Sequence, residues 1–89
     1  MYWSVCREFA VDIQALDEEY VAFHHGSGCT HRLSTEAGKV FVEIRRNLVA
    51  VDIEGLISEP CLKGMVPEQL QAILQDLAAL SLIIVSESP

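Results

Sequence analysis

A short connection, Gly26-Ser27-Gly28, lies between two runs of β-type residues, and Ser34 with a helical repeat follows directly after them. That order constrains the fold more than any other feature of the chain. A Gly-rich link of this length between two extended runs predicts a β-hairpin. Tyr20-Val21-Ala22-Phe23-His24 is the outgoing strand, with Val21 and Phe23 on one face, and Cys29 to Leu33 is the returning one. A further strand is predicted around Val5 to Val11, where Phe9 and Val11 alternate, and Asp17-Glu18 makes the turn after it. The first third therefore reads as a three-stranded antiparallel meander.

The period then changes to that of helices. Ser34 is a good N-cap and Glu36 suits the positive end of the dipole. Ala37, Val40, Phe41 and Ile44 fall at i, i+3, i+4 and i+7, one apolar stripe that predicts a helix to about Arg46. Arg45 and Arg46 suit its last turn, and Asn47 is expected to end it in the left-handed conformation. A shorter helix fits Asp52 to Ser58, with Ile53, Leu56 and Ile57 on one side and Pro60 closing it. Lys63-Gly64 reads as a loop. Pro67-Glu68 opens a third helix whose stripe is Leu70, Ile73, Leu74, Leu77 and Leu80. Ser81 ends it, Leu82 to Val85 is a last strand, and Glu87 to Pro89 is an end expected to fray.

The predicted class is α+β: a small winged-helix-like domain, a three-stranded antiparallel sheet followed by three helices. Residues 1–33 form the meander, 34–81 the helical part and 82–89 a short strand and tail. A second helix joined by a loop to a longer third one is the outline of a helix-turn-helix, with the last strand as a reduced wing. A length of 89 residues accommodates one such domain.

Composition narrows the partners. Hydrophobic residues make up 51% of the chain, an excess that in a small domain leaves apolar surface for binding or self-association. The longest nearly apolar run, Ala78 to Val85, is interrupted by Ser81 and falls well short of the roughly 20 residues of a membrane span. Arg7, Glu8 and Asp12 come too early for a signal peptide, so a cytoplasmic chain without a membrane partner is expected. The formal charge of −7, with six Lys and Arg in all, argues against nucleic acid and for a basic or neutral partner. Cys6, Cys29 and Cys61 are odd in number and unpaired in spacing, which fits reduced thiols better than a disulfide framework.

The segment from Tyr20 to Ser34 resembles the signature of the PqqD family: an apolar strand, a Ser-Gly hairpin, Thr-His, then Leu and a helix-capping polar residue. The matching positions are Val21, Phe23, Ser27, Gly28, Thr30, His31, Leu33 and Ser34, and the helix carrying Ala37, Val40 and Phe41 is similar to the family's first. The likeness spans roughly residues 3–85. Arg46-Asn47 stands where members often carry Asp-Gly, and Arg32 where a second apolar residue is common.

The resemblance implies a peptide chaperone, a recognition element for ribosomally made precursor peptides. In it a leader segment adds as a strand beside the hairpin and against the third helix, and is presented to a modifying enzyme. Strand addition draws affinity from backbone hydrogen bonds and register from side-chain pockets. The expected edge strand is Cys29, Thr30, His31, Arg32 and Leu33. The expected groove wall is the third-helix flank Ala72, Gln75, Asp76 and Ala79, whose small residues admit a peptide backbone.

Other chemistry is thinner. His24, His25, Cys29 and His31 crowd one hairpin, but paired zinc spacings are absent and a polar hairpin accounts for them. Cys29 and His31 on one strand face sit roughly 6.5–7 Å apart at the backbone, with no third orienting group. Gly26-Ser27-Gly28 lacks the lysine and spacing of a phosphate loop, and Asp17, Glu18 and Glu19 read as a solvated turn. No catalytic residue, metal or cofactor is expected. As a DNA reader the third helix would present Glu68, Gln69, Gln71, Gln75 and Asp76, a poor surface for phosphates. The alternative to peptide capture is a winged-helix docking or dimerisation module. Exposed sheet edges can also pair with each other, so a homodimer stays open.

Overall fold

The structure, a computed structural model, describes residues 1–5, 10–47, 49–62 and 64–87, with only the backbone of Cys61. Its strands are β1 (Tyr2–Val5), β2 (Val11–Ala15), β3 (Glu19–His24), β4 (Cys29–Ser34) and β5 (Ile83–Ser86). Its helices are α1 (Thr35–Arg46), α2 (Ile53–Ile57) and α3 (Pro67–Ala79), with a 3-10 turn at Pro60–Leu62.

The molecule is a small α+β domain with a three-stranded antiparallel sheet, β2-β3-β4, and three helices. The hairpin joining β3 to β4 turns through residues 25–28. Gly28 closes that turn at φ +72°, a left-handed conformation that glycine adopts without a Cβ clash, and its N–H donates to the His24 carbonyl at 2.8 Å.

The strand expected from Val5 to Val11 is not one strand. Val5 ends β1, Val11 starts β2, and residues 6–9, including Phe9, lie outside the described residues. β1 belongs to a different sheet, because it pairs antiparallel with β5 through Trp3↔Val85 and Val5↔Ile83. The last strand is therefore the partner of the chain's first strand and not a wing attached to the meander. Trp3 also exchanges two backbone hydrogen bonds with Val51, at 2.7 and 2.9 Å, so β1 is held on both sides.

On the meander, Tyr20, Ala22 and His24 alternate toward the helices, with Ala22 and His24 buried. Val21 and Phe23 do share a face, but it is the outer one, where both are half-buried and the Phe23 ring meets His25 edge-on at 4.8 Å. Small Ala22 lets α1 lie close. Gly38 brings the helix against the Tyr20 ring.

The expected cap of α1 forms: the Ser34 hydroxyl accepts from the Ala37 N–H at 3.2 Å. Asp52, expected as the first residue of the second helix, instead caps α2 by accepting from the Gly55 N–H at 2.8 Å. Asn47 ends α1 differently from the expectation: it is extended (φ −87°, ψ 136°), not left-handed. Its side-chain amide donates to the Glu43 carbonyl at 2.7 Å, which satisfies an end carbonyl without a positive φ. The core gathers Val40, Phe41 and Ile44 of α1, Leu56 and Leu62, and Leu70, Leu74 and Leu77 of α3, with Trp3 and Ile83 from the second sheet and Leu82 from the connection before β5. Each such aliphatic side chain contributes about 1.5–3 kcal/mol.

Candidate functional site

The edge strand β4 carries the candidate site. Among the described residues no strand pairs with its outer side. Which of its amides point outward follows from two hydrogen bonds on the far side of β3. His25 N–H donates to the Ala10 carbonyl at 2.9 Å, and Leu16 N–H donates to the Glu19 carbonyl at 2.7 Å. The odd-numbered residues of β3 therefore bond to β2. Antiparallel ladders alternate, so Tyr20, Ala22 and His24 bond toward β4, opposite Leu33, His31 and Cys29. Thr30 and Arg32 are left with main-chain groups directed away from the sheet.

Opposite this edge stands the C-terminal half of α3. A groove of about 370 Å³ between them is lined by Arg32, Leu33, Ser34, Ala37, Asp76, Leu77, Ala79 and Leu80. Of the residues expected from the sequence, it brings together Arg32, Leu33, Asp76 and Ala79. Ala72 and Gln75 are exposed on the same helix but do not line it. Helical geometry separates the two cases: Gln75 sits about 100° round the helix from Asp76, whereas Ala72, at i−4 from Asp76, shares its face but lies one turn nearer the N-terminus of α3, short of the groove. Ser34, Ala37, Leu77 and Leu80 were read as cap and core residues; Leu77 is buried, Ala37 and Leu80 are half-buried at the margin of the core, and Ser34 is exposed.

A second groove, of about 460 Å³, lies where the hairpin turn meets the end of α3 and β5. His24, Gly26, Ser27, Ala78, Ser81, Ile83 and Ile84 line it. The two grooves flank opposite ends of β4, and α3 with its continuation into β5 supplies the facing wall of both. Cys29, Thr30 and His31 lie between them along the strand.

Polar order at the turn is local. The Ser27 N–H donates to His24 Nδ1 at 3.1 Å, and the Cys29 N–H to Ser27 Oγ at 3.3 Å. Cys29 is an exposed free thiol whose Sγ is 3.9 Å from the Ser27 carbonyl. Cys6 and the Cys61 side chain lie outside the described residues. His25 Nε2 meets Asp12 Oδ2 at 2.7 Å on the outer face. Among the described residues no three His, Cys, Asp or Glu side chains converge to hold a metal ion, and no helix is long and apolar enough to cross a membrane.

Charge at the first groove is uneven. Arg32 pairs with Glu19 on the neighbouring strand at 3.3 Å. Asp76 has no ion-pair partner among the described residues.

No family model matches the chain, and no match is found among curated proteins or solved structures.

Proposed function

We propose that this domain is a non-catalytic peptide chaperone of the PqqD-like, winged-helix kind. It captures the leader segment of a ribosomally made precursor as an added strand on β4 and presents it to a modifying enzyme. The observation that carries this reading is the unpaired outer side of β4, with Thr30 and Arg32 amides directed outward, facing a groove walled by Asp76, Leu77, Ala79 and Leu80. An extended chain laid there gains main-chain hydrogen bonds from β4 and side-chain contacts from α3. Leader capture needs no metal, cofactor, nucleic acid or membrane, and the reading places the work in the cytoplasm.

The alternative of a docking or dimerisation module has its own observation. Ile84 and Val85 of β5 are 50% and 48% exposed, on a strand that among the described residues pairs with β1 alone. An uncharged apolar edge of that kind also invites a protein partner or a second copy.

A pull-down from lysate of the cells that make the protein separates the two. Wild type and folded Thr30→Pro are compared, and captured chains are identified by mass spectrometry. A short precursor-like peptide retained only by wild type is the expected result. Equal capture of one large protein by both variants removes strand addition at β4 and leaves the docking module.

A further inference from the structure

The C-terminal turn of α3 has an unfavourable electrostatic arrangement. Helix C-termini carry partial negative charge and are stabilised by cations in their last turn. The last turn of α3 contains no basic residue, and Asp76 stands there instead. Nor does any Lys, Arg or His occur between Glu68 and Pro89. The contrast with α1 is direct: Glu36 lies at its positive end, and Arg45 and Arg46 at its negative one.

This uncompensated end faces the groove beside β4. Arg32, the groove's cation, is engaged with Glu19. Asp76 and the end of α3 therefore place negative potential over an otherwise small and apolar floor of Leu33, Ala37, Leu77, Ala79 and Leu80. The facing side chains that carry charge are these two alone among the groove's lining residues. A lysine or arginine side chain suits both features, because its aliphatic stem packs on the floor while its head reaches the carboxylate.

Resting on the strand-addition reading above, we propose that the captured peptide carries a lysine or arginine at the position beside Arg32–Ser34. That residue pairs with Asp76 and fixes the peptide's register on β4. The other groove, walled by Ala78, Ile83 and Ile84, takes an uncharged residue farther along the same strand.

The test is selection of a displayed library of random twelve-residue peptides on the full chain. Wild type, Asp76→Asn and Asp76→Lys are used, with Thr30→Pro as the edge control and circular dichroism to verify each fold. Loss of folding is not expected, because both changes relieve the last turn of α3. Peptides that bind wild type but not Thr30→Pro should be enriched in Lys or Arg at one fixed position. Their affinity should fall about threefold to fivefold on Asp76→Asn, the scale of a solvent-accessible ion pair, and Asp76→Lys should select Asp or Glu at that position. Edge-dependent peptides with no charge preference, or with an acidic one on wild type, overturn this inference and leave strand addition standing. If no peptide depends on the edge, strand addition itself is overturned and the inference falls with it.

Discussion

Gly38 of α1 lies against the aromatic ring of Tyr20 on β3, so close that a Cβ at position 38 would overlap the ring. This contact sets the depth at which the helix seats on the sheet. Tyr20 is flanked on its strand by buried Ala22, so the sheet offers a shallow surface there and the helix follows it down.

Gly38→Ala should therefore destabilise the domain despite alanine's better helix propensity. Propensity favours the variant by about 1 kcal/mol, whereas overpacking of a tight contact costs about 1–3 kcal/mol. The expected net is a lower urea midpoint with an unchanged slope. A midpoint equal to or above wild type would show that the Tyr20 ring swings aside freely. Tyr20→Leu combined with Gly38→Ala should recover part of the loss, since a flexible side chain replaces the rigid ring.

Two adjacent prolines on β4 test which amides face out. Thr30→Pro removes a donor directed to solvent and should cost at most about 1 kcal/mol, as edge positions tolerate proline. His31→Pro removes a donor directed to Ala22 and should cost about 3 kcal/mol or more. Thermal unfolding of the two variants decides it. If Thr30→Pro is the damaging one, the ladder has the opposite phase and the free edge offers different amides to a peptide.

Much of this arrangement was legible in the sequence because it is local. Ser34 announces α1 through capping chemistry over three residues, and Gly26-Ser27-Gly28 marks its hairpin over a span as short. The pairing of β1 with β5 was not legible, since Trp3 and Val85 stand near opposite ends of the chain with all three helices between them in sequence, and no local signal links them. Asn47 shows a subtler limit: its residue type suits a left-handed cap, yet its amide reaches the Glu43 carbonyl from an extended backbone. On α3, the apolar stripe identified the core side, but the flank that turns toward β4 depends on how α1 and the sheet position the helix. Of the flank read from the sequence, Asp76 and Ala79 line the groove and Ala72 and Gln75 do not.

Ser81 adopts φ 63°, the one positive value among the described non-glycine residues. Its N–H donates to the Ala78 carbonyl, and the Leu82 N–H reaches the Leu77 carbonyl at 3.1 Å, the pattern of a helix end that glycine favours. Ser81→Gly should stabilise the domain by about 1 kcal/mol, the approximate penalty for an L-residue in that conformation. Chemical denaturation would register this as a higher midpoint. An unchanged or lower midpoint would mean that the gain is offset by glycine's greater freedom in the unfolded chain.

A pair of tryptophans on α3 separates the groove from the turn of the helix beyond it. Ala79→Trp places a large ring in the groove opposite Leu33 and Leu80, and should reduce affinity for an edge-dependent peptide by about tenfold, or roughly 1.4 kcal/mol. Ala72→Trp adds the same ring to a part of the helix that does not line the groove, and affinity should stay within about twofold of wild type. Both positions are exposed, so neither change should disturb the core formed by Leu70, Leu74 and Leu77. Titration calorimetry with one selected peptide measures the two effects side by side. Equal losses would mean that the peptide runs on along α3, beyond the groove, toward the helix N-terminus. A loss confined to Ala72→Trp would move the site off the β4 edge, because that edge and Ala79 bound the same groove.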